Sequence, residues 1–304
     1  MTFVLLDYAS ILGSMQTDTG RPHWRTDMNT ASTATANTTQ HRGTALITGA
    51  SSGIGAVYAD RLARRGYDLI LVARNRERLD ALASRLTDAT GRSIEVVAAD
   101  LGKREDVRRI EEILRTDSSI TLLVNNAGIG GAAPLLDSNA DQMEAMIDLN
   151  VTALTRLTYA VAPKFVARGG GAIVNIASIV AVAPEVLNGV YGGTKAFVLA
   201  FSQSLHHELG AKGVRVQAVL PGATRTEFWD VAGHPVDNLP QGTVMSAGDL
   251  VDAALAGFDQ GELATVPSLP ELADWTAFES ARAALGPNLS RSKPAARYGL
   301  HSAA

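Results

Sequence analysis

The stretch that decides the fold runs from Thr44 to Gly66 and reads TALITGASSGIGAVYADRLARRG. It begins with a short apolar run, continues through a turn with glycines at positions 49, 53 and 55, and ends in a helical pattern that stops at Gly66. Glycines allow a chain to turn sharply and to approach a ligand closely. Because the following helix directs its free N–H groups into the turn, this stretch predicts a strand, an anion-binding turn and a helix.

The glycine spacing has more than one interpretation. Thr48, Gly49, Gly53 and Gly55 form the pattern T-G-x-x-x-G-x-G, which suits a pyrophosphate but differs from the G-x-G-x-x-G of the general dinucleotide fingerprint. The same stretch satisfies G-x-S-x-G with Ser51 as the central serine, which is the nucleophile turn of α/β-hydrolases. A glycine-rich turn without a ligand is the third interpretation. The rest of the chain has to decide between them.

Composition argues against several classes of function. The 304 residues suffice for one large core, and a net charge of −4 without a basic run gives no indication of binding to nucleic acid or to a membrane surface. Cysteine is absent, which removes disulfides and thiolate chemistry and fits a reducing, cytoplasmic location. The six histidines are scattered without a metal-binding spacing, so no metal is expected.

Strands and helices alternate along most of the chain. Apolar runs predict strands at residues 45–47, 68–72, 94–99, 120–124, 172–176, 214–219 and 264–266. Helical patterns lie between them, and the two longest cover about residues 141–167 and 191–211. This order predicts an α/β fold: a doubly wound parallel sheet of the Rossmann type, with three layers, in a single catalytic domain that covers residues 43–286.

Three segments do not follow this alternation. Residues 1–42 include a polar run from Asn29 to Gln40 and lack the features of a secretory signal, so we expect a disordered leader. Residues 223–246 are rich in Gly, Pro and Thr and form a candidate lid. Residues 287–304 form a polar tail.

Four groups of residues are expected at one edge of the sheet. Asn125–Gly128, Ser178 and Pro221–Gly222 follow predicted strands, and ligands of parallel sheets bind at the carboxyl ends of the strands. Tyr191 and Lys195 are four residues apart in a predicted helix and therefore share one of its faces. All four groups would converge beside the glycine-rich turn.

These motifs and their order closely resemble the short-chain dehydrogenase/reductase family. The resemblance covers about residues 43–260 without large insertions. It rests on Thr48-Gly49-Ala50-Ser51-Ser52-Gly53-Ile54-Gly55, Asp100, Asn125-Asn126-Ala127-Gly128, Asn150, Ser178, Tyr191-x-x-x-Lys195, and Pro221-Gly222 with Thr226. It implies an oxidoreductase that transfers a hydride between a nicotinamide cofactor and a ketone, an aldehyde or a secondary alcohol.

The resemblance implies four catalytic residues. Tyr191 would donate or accept the proton, Ser178 would hydrogen-bond the substrate oxygen, and Asn150 would anchor a water that links Lys195 to solvent. A phenol titrates at about 10, and one cation about 4 Å away at an effective dielectric of about 20 can lower that pKa by about three units. We therefore expect Lys195 to lower the pKa of Tyr191.

The cofactor is expected to be NADPH rather than NADH. An NAD enzyme has Asp or Glu at the end of the second strand, whereas here Arg74 follows it, with Arg76 and Arg78 nearby and no carboxylate before Glu77. Guanidinium groups crowded at a helix N-terminus suit a 2′-phosphate. The expected cofactor-binding residues are Gly49, Ser51, Ser52, Gly53, Ile54, Gly55, Arg74, Asp100, Leu101, Asn126, Ala127, Gly128, Tyr191, Lys195, Pro221, Gly222 and Thr226.

Two alternative functions remain open on the sequence. A non-catalytic NADP-binding sensor or scaffold could share the fold, but it could dispense with Tyr191 and Lys195, and both are present. A serine hydrolase would need a late histidine, for which His234 and His301 are the available residues. Turnover of reduced cofactor by a carbonyl compound would separate the oxidoreductase from both.

The expected partners are an apolar small-molecule substrate, a carbonyl compound or an alcohol, and further copies of the chain. Residues 179–187 are mostly apolar, and Phe228 and Trp229 lie in the candidate lid, although these two aromatic residues could instead hold the lid down. The helices at 141–167 and 191–211 resemble those that form subunit contacts in the family. A homodimer or a homotetramer is therefore expected.

Overall fold

The computed structural model describes residues 41–231, 236–240 and 242–300. The expected leader lies outside these residues, except for its last two. His41 Nε2 lies 2.8 Å from a carboxylate oxygen of Asp68, and the backbone N–H of Arg42 donates to the carbonyl of Gly66 at 3.1 Å. His41 and Arg42 therefore contact the folded part, and the boundary expected at residue 42 stays a prediction.

Seven parallel strands form the central sheet, in the order β3-β2-β1-β4-β5-β6-β9. The strands of this sheet are β1 Thr44–Thr48, β2 Asp68–Ala73, β3 Ile94–Ala98, β4 Ile120–Asn125, β5 Gly171–Ile176, β6 Val214–Val219 and β9 Ala264–Thr265. The winding direction reverses between β1 and β4, where a crevice opens at the carboxyl ends of the strands. The predicted doubly wound Rossmann sheet is confirmed.

Helices cover both faces of this sheet. They are α1 Gly53–Arg64, α2 Arg76–Thr90, α3 Arg104–Thr116, α4 Ala140–Ile147, α5 Leu154–Ala167, α6 Gly189–Leu209, α7 Phe228–Val231 and α8 Ala247–Gln260. Successive residues of β1 point to opposite faces. Ile47 belongs to a buried apolar cluster with α1, α2 and α8, and Leu46 belongs to a second cluster with α3, α5 and α6. The predicted three layers are thus confirmed.

Local sequence signals explain where the helices beside the crevice begin and end. The side-chain oxygen of Asn75 accepts the backbone N–H of Arg78 at 3.0 Å and caps α2, as its position before the helix predicts. Gly91 ends the same helix with a φ of 68°, and Gly66 follows α1 with a φ of 95°. These positive φ values favour glycine. These signals mark the C-terminal end of α1 and both ends of α2.

The helix predicted at residues 141–167 is interrupted. Asp148–Ala153 form a π-helical turn between α4 and α5. Within this turn, Asn150 exchanges two hydrogen bonds with the backbone of Ile129, at 2.9 and 2.8 Å. Such turns often occur at functional sites. The apolar periodicity of the sequence continues through the π-helical turn and gives no sign of an interruption. The interruption depends instead on the contact between Asn150 and the loop that contains Ile129.

The candidate lid at residues 223–246 is more ordered than predicted. It contains β7 Thr224–Arg225, which pairs with β8 Met245–Ser246, as well as α7 and a 3-10 turn at Val236–Asn238. Elements of two to four residues are too short to show a periodic pattern. Residues 232–235 and 241 of this segment lie outside the described residues.

Residues from Leu269 onward fall in a second compact unit, separate from the unit that contains the sheet. Helix α9 Leu272–Ala284 corresponds to the helix predicted near residues 270–285, and two 3-10 turns follow at Gly286–Asn288 and Ala296–Tyr298. Trp275 and Phe278 pack on each other within α9, with ring centres 5.3 Å apart. In the part of the chain that the structure describes, no helix has the length and apolar character needed to cross a membrane.

Candidate active site

The glycine-rich turn after β1 leaves its backbone open to a ligand. Gly49 and Gly53 have φ values of 66° and 54°, which disfavour any other residue. A Cβ atom on Gly55 would collide with the carbonyl oxygen of Gly49, so α1 starts directly against the turn. Within the described residues, no side chain caps α1 and its first turn holds no acidic residue. Its first N–H groups therefore point towards an anion site.

Hydrogen bonds join this turn to the loop after β4. The hydroxyl oxygen of Thr48 accepts the backbone N–H groups of Asn126 and Ala127, both at 3.0 Å. In return, the side-chain amide of Asn126 donates to the carbonyls of Thr48 at 2.9 Å and Gly49 at 3.1 Å. These bonds fix the two strand ends on either side of the crevice. The motifs at 48–55 and 125–128 are thus joined by hydrogen bonds in both directions.

Ser178, Tyr191 and Lys195 lie together on the wall of a cavity of about 1140 Å³. All three side chains are buried. The Nζ atom of Lys195 donates to the carbonyl of Ile176 at 2.8 Å and lies 5.8 Å from the centre of the Tyr191 ring. The hydroxyl of Ser178 donates to the carbonyl of Pro221 at 3.3 Å. The strand end at β5 and the first turns of α6 therefore bring the three groups together, as their spacing predicts.

Burial dominates the pKa values of this cluster. Loss of solvation raises the pKa of Tyr191 to about 12, and a hydrogen bond with Ser178 acts in the opposite direction. Burial also lowers the pKa of Lys195 to about 8, because its ammonium loses solvation. The expected net lowering of the Tyr191 pKa is therefore not found in this structure. Desolvation of the phenolate is the largest influence on that pKa, and the Lys195 ammonium is directed at the carbonyl of Ile176.

Asn150 lies behind the cavity wall. Besides its two hydrogen bonds with Ile129, its amide donates to the hydroxyl of Thr194 at 3.1 Å. A Cβ atom on Gly128 would lie 3.0 Å from Asn150 Oδ1 and 3.6 Å from Lys195 Nζ. Asn150 Oδ1 and Lys195 Nζ therefore both border the space that a side chain at position 128 would occupy.

Most of the expected cofactor residues line the same cavity. In addition to Tyr191 and Lys195, they are Gly49, Ser51, Ser52, Gly53, Ile54, Arg74, Asp100, Leu101, Asn126, Ala127, Gly128, Pro221, Gly222 and Thr226. Gly55 is the exception: it does not line the cavity and instead packs against the carbonyl of Gly49 within the turn. The volume exceeds the range of about 300–1,000 Å³ that is common for small-molecule sites. The open glycine turn and this volume fit a dinucleotide together with a substrate.

The three arginines after β2 differ in their partners. Arg76 forms an ion pair with Asp80 at 3.4 Å, and Arg78 forms one with Glu227 at 2.7 Å. The Arg78 guanidinium holds the pKa of the Glu227 carboxyl below its usual value. Arg74 lines the cavity and has no hydrogen bond or ion pair with any residue that the structure describes. Its guanidinium is therefore the one best placed to hold a phosphate.

The cavity becomes apolar beyond Tyr191. Its walls there are formed by Ile129, Ile179, Val180, Val186, Leu187 and Phe228. The Phe228 ring lies 5.7 Å from the Tyr191 ring, and a Cβ atom on Gly130 would overlap it. Trp229 also lines the cavity, and its indole N–H donates to the carbonyl of Thr224 at 2.9 Å. The two aromatic residues thus both line the pocket and anchor the segment after β7.

Sequence reasoning missed Glu227, which lines the cavity, and Asn188, which caps the helix that carries Tyr191. Asn188 precedes the helical pattern by one residue and Tyr191 by three, which is a helix-capping signal that could have identified it. Glu227 pairs with a residue 149 positions away, and the sequence contains no signal for such a contact.

The fold and the site define a class of protein. A Rossmann sheet, an anion-binding turn at the point where the winding reverses, and a buried Ser–Tyr–Lys cluster are features of dinucleotide-dependent oxidoreductases. The sequence model of the short chain dehydrogenase family matches residues 43–235. The chain belongs to this family of oxidoreductases, which act on CH–OH and C=O groups.

Several known proteins are similar to this chain. A short-chain dehydrogenase from Sphingobium yanoikuyae, solved in complex with NADPH, is 53% identical, with a TM-score of 0.82 over 84% of this chain and 99% of that one. The bulky-bulky ketone specific alcohol dehydrogenase from Comamonas testosteroni is 48% identical, with a TM-score of 0.79 over 85% of this chain and 99% of that one. A very-long-chain 3-oxoacyl-CoA reductase from Anas platyrhynchos is 37% identical over 201 residues. That match covers 64% of this chain and only 63% of the relative.

Proposed function

We propose that this protein is an NADPH-dependent oxidoreductase that interconverts a ketone or aldehyde and the corresponding alcohol. The observation that supports it most is the position of Ser178, Tyr191 and Lys195, which are buried together on a cavity that the glycine turn also lines. The Sphingobium protein, with 53% identity, binds NADPH. A cofactor-binding protein without catalysis would not need this buried cluster.

In the proposed reaction, a nicotinamide cofactor held by the glycine turn and Arg74 would supply the hydride that the carbonyl carbon accepts. The phenol of Tyr191, which its raised pKa keeps protonated at neutral pH, donates a proton to the carbonyl oxygen. Ser178 donates a hydrogen bond to the same oxygen, in exchange for its 3.3 Å bond to the carbonyl of Pro221. The Lys195 cation stabilises the phenolate that remains, and a water anchored by Asn150 returns a proton from solvent.

The preference for NADPH rests on Arg74. Its guanidinium lines the cavity just after β2, whereas Arg76 and Arg78 are engaged by Asp80 and Glu227. A planar guanidinium can hold a phosphate through two parallel hydrogen bonds. No carboxylate lies between β2 and Arg76 to hold the ribose hydroxyls of NADH instead.

The proposed substrate is an apolar ketone with bulky groups on both sides of the carbonyl. The wall beyond Tyr191 consists of aliphatic and aromatic side chains, and the Phe228 ring lies 5.7 Å from the Tyr191 ring. The Comamonas enzyme, with 48% identity, is specific for bulky-bulky ketones. Apolar walls favour the binding of a large apolar ligand, because binding removes more of its apolar surface from water.

The proposed assembly is a homodimer or a homotetramer that forms through α5 and α6. Tyr159 on α5 is 69% exposed and stacks on Phe201 of α6, with ring centres 6.4 Å apart. Phe201 stacks in turn on Phe197, which is 37% exposed. Three adjacent aromatic rings on a helical surface suit burial against a second copy. The cytoplasmic location expected from the sequence stays a prediction.

The decisive experiment is a carbonyl panel with each cofactor. Purified protein is mixed with NADPH or NADH and with aldehydes, small ketones, and ketones that carry aryl groups on both sides. We expect the fastest cofactor oxidation with NADPH and the bulky ketones. Tight NADPH binding without oxidation by any carbonyl or reduction by any alcohol would instead identify a non-catalytic binding protein.

A further inference from the structure

Asn188 connects the start of the catalytic helix to the loop that faces it. Its side-chain oxygen accepts the backbone N–H groups of Val190 at 2.9 Å and Tyr191 at 3.4 Å, and so caps α6. Its side-chain amide donates to the carbonyl of Ala133 at 2.7 Å and to the hydroxyl of Ser138 at 3.1 Å. Asn188 is 6% exposed, so these four bonds are largely shielded from water.

The loop that Asn188 holds is part of the cavity wall. We call residues 129–138 the wall loop: Ile129, Gly130 and Ala132 line the cavity, and the rest closes into a turn. The Ser138 hydroxyl donates to the carbonyl of Pro134 at 2.7 Å, which continues the chain of hydrogen bonds from Asn188.

Little else fastens the far end of the wall loop. Among the described residues, the hydrogen bonds that join residues 130–138 to another element all come from Asn188. The apolar side chains at its tip contribute little packing, because Leu135 is 81% and Leu136 is 92% exposed. Gly130 and Gly131 lie against Phe228 and Met146, but the hydrogen bonds that hold residues 133–138 near the helix of Tyr191 are therefore those of Asn188.

We propose that Asn188 is a positioning residue that sets the substrate size accepted by the enzyme. It fixes the distance between the wall loop and the helix of Tyr191, and thus the width of the cavity at the reacting carbonyl. A large ketone touches both walls, whereas a small one needs only the groups around Tyr191. This inference rests on the proposed carbonyl reduction and deepens it by assigning a residue to the choice of substrate.

Two substitutions separate this role from simple helix capping. Asn188→Ser keeps a hydroxyl that can cap α6, but it is too short to reach Ala133 and Ser138. Asn188→Ala removes both the cap and the connection. Ser246→Ala is the matched control, because Ser246 caps α8 by accepting the N–H of Asp249 at 3.0 Å and is not part of the cavity wall. Ser138→Ala tests the connection from the loop side without any change to α6.

The experiment combines kinetics with amide hydrogen exchange of the full-length protein. At saturating NADPH, we expect Asn188→Ser to lower kcat/KM for a diaryl ketone about tenfold or more and for a small dialkyl ketone less than twofold, because misplacement of a bound substrate is costly. The amides of residues 133–138 should exchange at least about tenfold faster in the absence of NADPH. Ser138→Ala should change both quantities in the same direction, and Ser246→Ala should change neither.

The outcomes distinguish the two proposals. Equal losses for both ketones, or unchanged exchange of the wall loop in Asn188→Ser, would overturn the role of Asn188 and leave the carbonyl reductase intact. A wild-type protein that oxidises NADPH with neither ketone would overturn the proposed reaction, and the specificity role with it. If Asn188→Ser fails to fold, the kcat/KM values for the two ketones and the hydrogen exchange of the wall loop are measured with Ser138→Ala instead, and the same outcomes decide the role of Asn188.

Discussion

The Nζ atom of Lys195 lies 5.8 Å from the centre of the Tyr191 ring, one helical turn further along α6. Burial acts on the two groups in opposite directions: it raises the pKa of Tyr191 to about 12 and lowers that of Lys195 to about 8. At neutral pH the phenol is therefore protonated and the ammonium is mostly charged. This is the combination that carbonyl reduction needs, since the acid has its proton and a cation stands ready for the phenolate.

The rate of carbonyl reduction should consequently decline above about pH 8. In this range Lys195 loses its charge, while Tyr191 keeps its proton up to much higher pH. Without the cation, the phenolate left after proton transfer is no longer stabilised. The measurement is kcat for ketone reduction between pH 6 and 10 at saturating NADPH. A rate that keeps rising through pH 9 would contradict this assignment.

Replacement of Lys195 by Met should abolish turnover and yet stabilise the fold at pH 7. The folded-state pKa of about 8 lies below the value of 10.5 for an exposed lysine, so the folded protein bears the full cost of the charge below pH 8. Between pH 8 and 10.5 the unfolded state binds more protons, and stability rises with pH. Lys195→Met removes the cost of the buried charge, which lowers the free energy of unfolding of the wild type by roughly 3 kcal/mol at pH 7. It also loses the hydrogen bond to the carbonyl of Ile176, which contributes about 1 kcal/mol in the other direction.

The check is the melting temperature of both proteins as a function of pH. The variant should melt higher than the wild type at pH 7, and this gain should shrink towards pH 10.5. Lys212→Met is the control, because Lys212 is exposed and its loss should leave the difference near zero at every pH. An equal or lower melting temperature of Lys195→Met at pH 7 would show that burial does not penalise this ammonium.

Replacement of Tyr191 by Phe should remove the proton carrier alone. We expect kcat to fall by about 10²- to 10⁴-fold, which is the usual contribution of a general acid, while the Kd of NADPH changes less than about twofold. Tyr58→Phe is the matched control: Tyr58 is also buried, and its hydroxyl has no hydrogen-bond partner among the described residues. That variant should keep full activity and lose no stability, because it removes an unsatisfied polar group. A Tyr191→Phe enzyme at nearly the wild-type rate would refute the mechanism.

A charge in the aromatic surface should disrupt the assembly. Tyr159→Glu places a carboxylate beside Phe201, and burial of that charge in an interface is costly. Light scattering at micromolar concentration should show a dimer or tetramer for the wild type and a monomer for the variant. Ala81→Glu adds the same charge to α2, on the opposite face of the sheet, and should leave the mass unchanged. A monomeric wild type would end the proposal.

The elements that the sequence predicted well are those that local pattern determines. Strands buried on both faces, such as β1, appear as apolar runs, and the partly exposed edge strand β3 is also an apolar run, so the sheet from β1 to β6 could be located before the structure. The i, i+4 spacing of Tyr191 and Lys195 placed them on one helical face. The capping residue Asn75 and the glycine at position 66 marked helix ends for the same local reason.

The features that the sequence did not predict depend on long-range packing. The π-helical turn around Asn150 forms because that side chain bonds to Ile129, and the pair Arg78–Glu227 joins segments that are far apart in the chain. The direction of the Tyr191 pKa shift was wrong for a related reason. The i, i+4 spacing identifies Lys195 as a charged neighbour of Tyr191. The degree of burial, which has the largest effect on the Tyr191 pKa, follows only from the packed structure.

Arg74→Ala should lower the preference for NADPH without loss of the reaction itself. Arg74 lines the cavity and makes no hydrogen bond or ion pair with the described residues, so its removal breaks no contact of the fold. Loss of one charge-assisted pair costs roughly 1.5–3 kcal/mol, which is about a 10- to 150-fold loss of kcat/KM for NADPH. The kcat/KM for NADH should stay nearly constant, because NADH lacks the 2′-phosphate. Arg76→Ala is the control two residues away: its guanidinium pairs with Asp80, and its loss should affect both cofactors little. Equal losses of kcat/KM for both cofactors in Arg74→Ala would show that another residue binds the 2′-phosphate. A wild type that prefers NADH would show that the site does not select for the 2′-phosphate.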